Sequence, residues 1–255
     1  MAFNNILKSI ISDFSEDKSN FLYISLPKQL IEETPDLLKD TSFSVINLTR
    51  NFAPIKPFMQ ILKECNPSEE IINQNSYSLQ QETIQEYLLN GKAKERRDFI
   101  NHEEVFFEKT RITQTVSTII RNLCDKNYVI QNAQELSIEA IEIIKSLEKH
   151  RFNGKIIFCF DNEKIENSST ELQAFIDEKH KQNNFYEITN NEKFESKELS
   201  IKESVPTFDI LYNSLRDCRL LFSLDQGKTI SKWIISNIDS LKFSKNQKRL
   251  IHYEI

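Results

Sequence analysis

The chain has 255 residues, with 33 Lys+Arg against 38 Asp+Glu for a net charge of −5, and a mean hydropathy of −0.48. With 39% hydrophobic and 28% charged residues it holds enough apolar residues for a core, yet no apolar run approaches the roughly 18–20 residues that cross a bilayer. Mild acidity gives no general attraction to nucleic acid and leaves only local basic patches to consider.

Only 3 residues are glycine, where average usage would give about 18. Phosphate-cradling loops need glycine so that the backbone can approach the phosphate. A dinucleotide fingerprint and a turn-rich all-β fold are both disfavoured. The cysteines, Cys65, Cys124, Cys159 and Cys218, contain no CxxC pair, which argues against a zinc knuckle or thioredoxin-type motif. Cys124 and Cys159 sit in apolar surroundings and read as core residues. His102, His150, His180 and His252 show no HxH or HxxxH spacing and read as solvated helix positions. Met1–Phe14 lacks a signal-peptide apolar stretch, so reduced thiols and a cytoplasmic location are expected.

Apolar spacing predicts a helix over Phe3–Phe14, then a buried strand at Phe21–Leu26. Leu30, Ile31, Leu37 and Leu38 suggest helical turns interrupted before Pro35. Ser42–Leu48 reads as a second strand, with Phe43, Val45 and Asn47 on one face. Pro57 opens a helix to Lys63. Ser78 caps another through Leu89, ended by Gly91, and Ala93–Cys124 is helical with a break near Asn101. Asn127–Gln131 is a third strand, Ser137 caps the next helix, and Lys155–Phe160 is a nearly continuous apolar strand of the kind buried in a parallel sheet. Thr170–Lys181 is a helix and Phe185–Ile188 a fifth strand. After a polar stretch at 190–205, Phe208–Leu224, Lys228–Ile238 and Phe243–Ile255 read as helices with no strand between them. The expectation is an α/β domain over 1–195, with a parallel sheet flanked by helices, and a small all-helical region over 206–255.

The order of elements over Phe21–Lys164 resembles the core of the STAND and AAA-type P-loop ATPases. The resemblance rests on FLYISLPKQLIEET (Phe21–Thr34) in the place of the first strand and phosphate loop, and on SFSVINLTRNFAPIKPFMQIL (Ser42–Leu62), where Pro57-Phe58 opens the helix. It rests also on NYVIQNAQELSIEAIEIIKSL (Asn127–Leu147) followed by GKIIFCFDNEK (Gly154–Lys164), similar to a Walker B strand and a sensor strand; in a second register KIIFCFD is itself the Walker B strand. The chemistry of the family is missing. GxxxxGK[ST] is replaced by Ser25-Leu26-Pro27-Lys28-Gln29, with no glycine and with Lys28 too early. In the first register the strand runs into uncharged Gln131-Asn132-Ala133-Gln134; in the second, Asp161 is followed by Asn162. The resemblance implies a degenerate P-loop-like fold without hydrolysis and without a bound cofactor.

Three other features remain. Gly227-Lys228-Thr229 is a GKT, but Phe222 stands where the pattern needs glycine, and it reads as a turn with Gly227 capping one helix and Lys228-Thr229 opening the next. Asp161 with Glu163, at the end of the best strand, could bind a divalent metal. Lys94–Arg97 and Lys242–Arg249 are basic patches that could touch phosphates, though no RNP-like aromatic interleaving or recognition-helix motif accompanies them. The function expected is a catalytically inactive ATPase-like module acting in regulation or assembly through protein contacts. The C-terminal helices look like the opening of a tetratricopeptide-type stack, with Tyr212 and Trp233 as packing residues, needing further helices from a longer chain or a partner. The alternatives are a clamp-loader-like inactive AAA subunit, which Ala133–Lys149 also resembles, contacting DNA and replication partners, and a metal-dependent α/β enzyme using Asp161 and Glu163.

Overall fold

The computed structural model describes residues 2–16, 19–38, 42–48, 53–76, 86–89, 102–150, 152–182, 184–188, 206–221 and 223–255. The chain runs α1 (Ala2–Glu16), β1 (Phe21–Leu26), α2 (Lys28–Leu37), β2 (Phe43–Asn47), α3 (Lys56–Cys65), α4 (Glu69–Asn75), α5 (His102–Leu123), β3 (Asn127–Gln131), α6 (Ile138–Glu148), β4 (Ile156–Asp161), α7 (Thr170–Lys181), β5 (Phe185–Glu187), α8 (Phe208–Leu220), α9 (Leu224–Asn237) and α10 (Lys245–Glu254). Of the helix expected from Ser78 through Leu89, only 86–89 are described; they are helical, with Tyr87 and Leu88 buried. Gly91, the stretch 93–101 with the Lys94–Arg97 patch, and 190–205 lie outside the described residues.

The five strands form one sheet in the order β2-β3-β4-β1-β5, every pair parallel. All six residues of β1 and of β4 are buried, and strand alternation sends them to two opposite layers. Phe21 and Tyr23 of β1 and Ile156, Phe158 and Phe160 of β4 join the core built by α3, α5, α6 and α7. Leu22, Ile24, Leu26, Ile157 and Cys159 join the core built by Leu7, Ile11 and Phe14 of α1 and Ile31 of α2. Each large side chain so buried contributes about 1.5–3 kcal/mol. Handedness explains the split. The crossover from β1 to β2 travels one way along the sheet, and those from β2 to β3, β3 to β4 and β4 to β5 travel the other; right-handed connections in opposite directions lay their helices on opposite faces.

Five of the ten helices named start at a hydroxyl cap. Ser137, Ser169 and Ser68 accept from the backbone N–H of Ala140 (3.2 Å), Leu172 (3.2 Å) and Ile71 (3.3 Å). Two expectations fail. Pro35 does not interrupt its helix: α2 runs through it to Leu37. A proline at this position removes the N–H that would bond the Ile31 carbonyl four residues back, and the Nε2 of Gln131, at the end of β3, donates to that carbonyl instead. Gly227 is not a cap, because it lies inside α9, its N–H bonding the Ser223 carbonyl at 2.9 Å. On β2, Asn47 is exposed and Ile46 is the buried residue, as suits an edge strand. The short α4 has no counterpart in the sequence pattern because Ile72 is its one buried residue.

The three C-terminal helices share a core of their own, with Leu211, Leu215, Ile230, Ile234 and Ile251 buried and Tyr212 and Trp233 packed against it. They are joined to the α/β core by Leu220 and Leu221, which belong to that larger core. Asp217 and Tyr87 are also hydrogen-bonded, and burial followed by the Asp217 charge pushes the Tyr87 hydroxyl well above its ordinary range. The four cysteines are free, and Cys124, Cys159 and Cys218 are buried; burial pushes the Cys159 thiol up to about 12. No helix among the described residues is long and apolar enough to cross a membrane.

The two described glycines differ in kind. A Cβ on Gly154 would fall inside the Lys126 carbonyl oxygen and 2.9 Å from the Phe152 ring, whereas one on Gly227 would meet only the Cys218 Cβ, at 3.6 Å. Gly154→Ala therefore destabilises by about 1–3 kcal/mol, and Gly227→Ala, mid-helix with room, stabilises by about 0.5–1 kcal/mol. Urea unfolding of the two variants checks both signs.

Candidate functional site

The chain leaves β1 toward one face of the sheet and β4 toward the other, although the two strands are neighbours. Ligands of open α/β sheets bind at such a divergence, beyond the carboxyl ends of the strands. Here that crevice is bounded by Ser25 to Lys28 after β1, Asp161 to Lys164 after β4, and Gln131 to Glu135 after β3.

Only Pro27 separates the last residue of β1 from the first of α2. The Leu30 and Ile31 N–H groups turn back onto the Pro27 carbonyl at 2.9 and 3.3 Å, and Lys28 is exposed on the helix surface. No length of chain is left to wrap a phosphate. The rest of the rim is occupied by amide and hydroxyl side chains bonded to one another and to the backbone. Ser25 Oγ bonds Asn162 Oδ1, and Asn162 Nδ2 donates to the Ile188 carbonyl at 3.0 Å. Gln134 Oε1 accepts from the Asp161 N–H at 3.0 Å. Asn132, in the left-handed region at φ 57, donates through Nδ2 to Asn47 Oδ1 at 3.0 Å and accepts from Gln134 Nε2 at 3.2 Å. These bonds tie the ends of all five strands together.

Asp161 is fully buried as the last residue of β4. Its Oδ1 accepts the Glu163 backbone N–H at 3.1 Å. Its Oδ2 has no hydrogen bond, and the nearest cation is Lys164, whose Nζ is 3.8 Å away. Glu163 itself is exposed, and what it presents to Asp161 is its backbone, not its carboxylate. No group of three or more His, Cys, Asp or Glu could hold a metal ion among the described residues. Nearby Glu135 is pushed above the ordinary carboxylate range by burial, against the pull of Lys164.

The GKT lies elsewhere. Lys228 is in α9, 3.6 Å from Asp225, and the Thr229 hydroxyl bonds the Asp225 carbonyl at 3.0 Å. His150, His180 and His252 are exposed, with the His180 ring tilted against Phe185 at 4.3 Å between centroids and 3.3 Å from Glu187.

Sequence reasoning missed the opposite rim, where a cleft of about 570 Å³ opens at the amino ends of the strands beside Asn20, Phe21, Glu148, His150, Lys179 and Asn184. Its floor is a charge pair between buried Lys179 and half-buried Glu148: Lys179 Nζ is 2.6 Å from Glu148 Oε2, and Tyr23 donates to Glu148 Oε1 at 2.6 Å. Burial, then the Glu148 charge, pushes the Tyr23 hydroxyl well above its usual range. The lone signal was a tyrosine in the otherwise apolar run FLYIS. A second ion pair lines the cleft, with Lys145 lying 3.3 Å from Glu178.

No protein-family model, curated protein or solved structure matches this chain.

Two measurements probe the crevice. Gln131→Leu leaves the buried Ile31 carbonyl unpaired and costs about 1–3 kcal/mol; adding Pro35→Ala restores a backbone N–H to that carbonyl and recovers part of the loss, so a double-mutant cycle in urea shows coupling. Because the folded pKa of Glu135 is raised, the native state takes up its proton before the unfolded state does as pH falls. Glu135 thus contributes increasing stability as pH drops from neutral through that raised folded pKa, and loses it as pH rises. Glu135→Gln removes this slope relative to the parent chain.

Proposed function

We propose that the chain is a nucleotide-silent relative of the STAND and AAA-type P-loop cores that acts in regulation or assembly by contacting other proteins. The observation that carries this reading is the crevice at the ends of β1 and β4, closed by a one-residue connection and filled by side chains that satisfy one another. A γ-phosphate site draws its binding energy from loop amides and a lysine aimed at the phosphate, and this rim offers neither arrangement. The parallel sheet with helices on both faces agrees with the fold the resemblance implies.

Protein contact as the mode of action is supported by the distribution of exposed apolar side chains. Of nine large hydrophobic residues exposed among the described residues, six, Ile210, Leu224, Ile235, Leu250, Tyr253 and Ile255, lie in the C-terminal region 206–255. Such side chains favour burial against a partner. A metal-dependent reading of Asp161 and Glu163 finds no support, since their carboxylates do not form a ligand set.

Thermal unfolding with and without millimolar Mg·ATP, Mg·ADP or Mg·GTP tests the reading. A ligand at about 100 times its Kd stabilises by about 2.7 kcal/mol. The expected result is no shift with any nucleotide; a shift that rises with nucleotide concentration overturns the proposal.

A further inference from the structure

Charge is divided unevenly along the chain. Residues 206–255 carry 8 Lys+Arg against 5 Asp+Glu, a net +3, and the remaining residues therefore carry −8 of the total −5. The excess gathers at the start of α10, where Lys242, Lys245, Lys248 and Arg249 fall within eight residues and no acid stands in the first turn. Lys248 is 3.7 Å from Asp239; Lys242, Lys245 and Arg249 are exposed and form no ion pair among the described residues. The fold does not require this arrangement. Cations at a helix N-terminus oppose the helix dipole, and Lys245 and Arg249, four residues apart, repel each other.

The packing of α10 determines which way the cations point. Ile251 is buried in the C-terminal core and Glu254 pairs with Arg219 at 3.1 Å, so the inward side of the helix is the row through Gln247, Ile251 and Glu254. Lys245, Arg249 and Tyr253, at intervals of four, form the outward row. Tyr253 is 81% exposed, an unusual position for a tyrosine ring. It supplies the exposed aromatic of the surface, because Phe243, the aromatic within the run Lys242–Arg249, is packed against the C-terminal core.

We propose that this row, Lys242, Lys245, Arg249 and Tyr253, is a binding surface for single-stranded nucleic acid. The cations track the phosphates and the Tyr253 ring stacks on a base, the two elements from which sequence-tolerant single-strand sites are made. The charge of the surface complements a polyanion, and the stacking ring favours a nucleic acid over an acidic peptide. The inference rests on α10 and on Lys242 just ahead of it, and stands whether or not the crevice binds nucleotides.

The test is fluorescence anisotropy of a labelled 20-nucleotide oligothymidylate with the full chain between 50 and 200 mM salt. Each phosphate neutralised on a single strand contributes about −0.7 to the slope of log K against log salt, so the three unpaired cations give a slope near −2. The Lys245→Gln/Arg249→Gln double variant brings it to about −0.7 and weakens binding at least about tenfold at 50 mM salt. Tyr253→Ala weakens binding about fivefold or more and leaves the slope unchanged. All these side chains are exposed, and an unchanged thermal midpoint verifies folding; Lys242→Gln, ahead of the helix, repeats the slope test without touching α10. Absence of binding at 50 mM salt overturns the proposal, as does binding indifferent to the double variant. So does polyglutamate competing as well as the oligonucleotide with Tyr253→Ala silent, which assigns the row to an acidic protein.

Discussion

A strand covered on both faces and paired on both edges can keep a polar side chain only if that side chain is given a partner, and β1 is such a strand. Its middle residue, Tyr23, has a hydroxyl with no route to water, and Glu148 at the end of α6 accepts its hydrogen bond. That carboxylate must in turn be neutralised, and Lys179 of α7, 2% exposed, supplies the charge and also lies over the Tyr23 and Phe175 rings at 5.6 and 4.9 Å. The three groups fix the spacing of two helices relative to the central strand. Removing one partner of a buried pair costs about 3–5 kcal/mol, because the other is left uncompensated. The placement of α6 and α7, and with it the cleft at the amino rim, follows from burying β1.

The same strand governs the opposite rim. Since β1 lies between β4 and β5 while its own connection crosses to the far edge at β2, the chain separates beyond Leu26 and Asp161. An open sheet leaves a crevice there, and this protein lines it with Asn and Gln. An amide side chain both donates and accepts, so a few of them close a ring of bonds without burying charge. The exception is Asp161, whose Oδ2 is left with only a distant lysine.

Local signals were legible wherever a single element sufficed to explain them. β1 and β3 fall at the residues that apolar runs gave, and α6 starts after Ser137 because a serine hydroxyl accepts from the backbone two to three residues on, wherever the helix goes. What failed depended on distant residues. Pro35 reads as a break until Gln131 is known to take over the carbonyl that proline leaves free. Gly227 reads as a cap until Leu224 is seen to begin a helix that runs through it. Lys179 is one of two lysines in its helix, and only the β1 tyrosine and Glu148, on two other elements, single it out. The strand order was likewise hidden, since it depends on which neighbours β1 takes in space. The crevice was legible by what it lacked in sequence, the glycines and the loop lysine, but the amides that fill it gave no pattern, because each bonds to a residue far along the chain.

The single residue between β1 and α2 also bears on how this protein can change. A point substitution alters what a side chain offers, yet a phosphate cradle is made by a length of backbone, and the connection at Pro27 has none to give. However many residues around it were exchanged for glycine or lysine, the strand would still pass straight into the helix. Reaching a nucleotide-binding descendant would require inserted codons, while every amide on the rim could drift within the limits of its own bonds. The crevice is thus separated from a backbone phosphate cradle by insertions rather than by point substitutions.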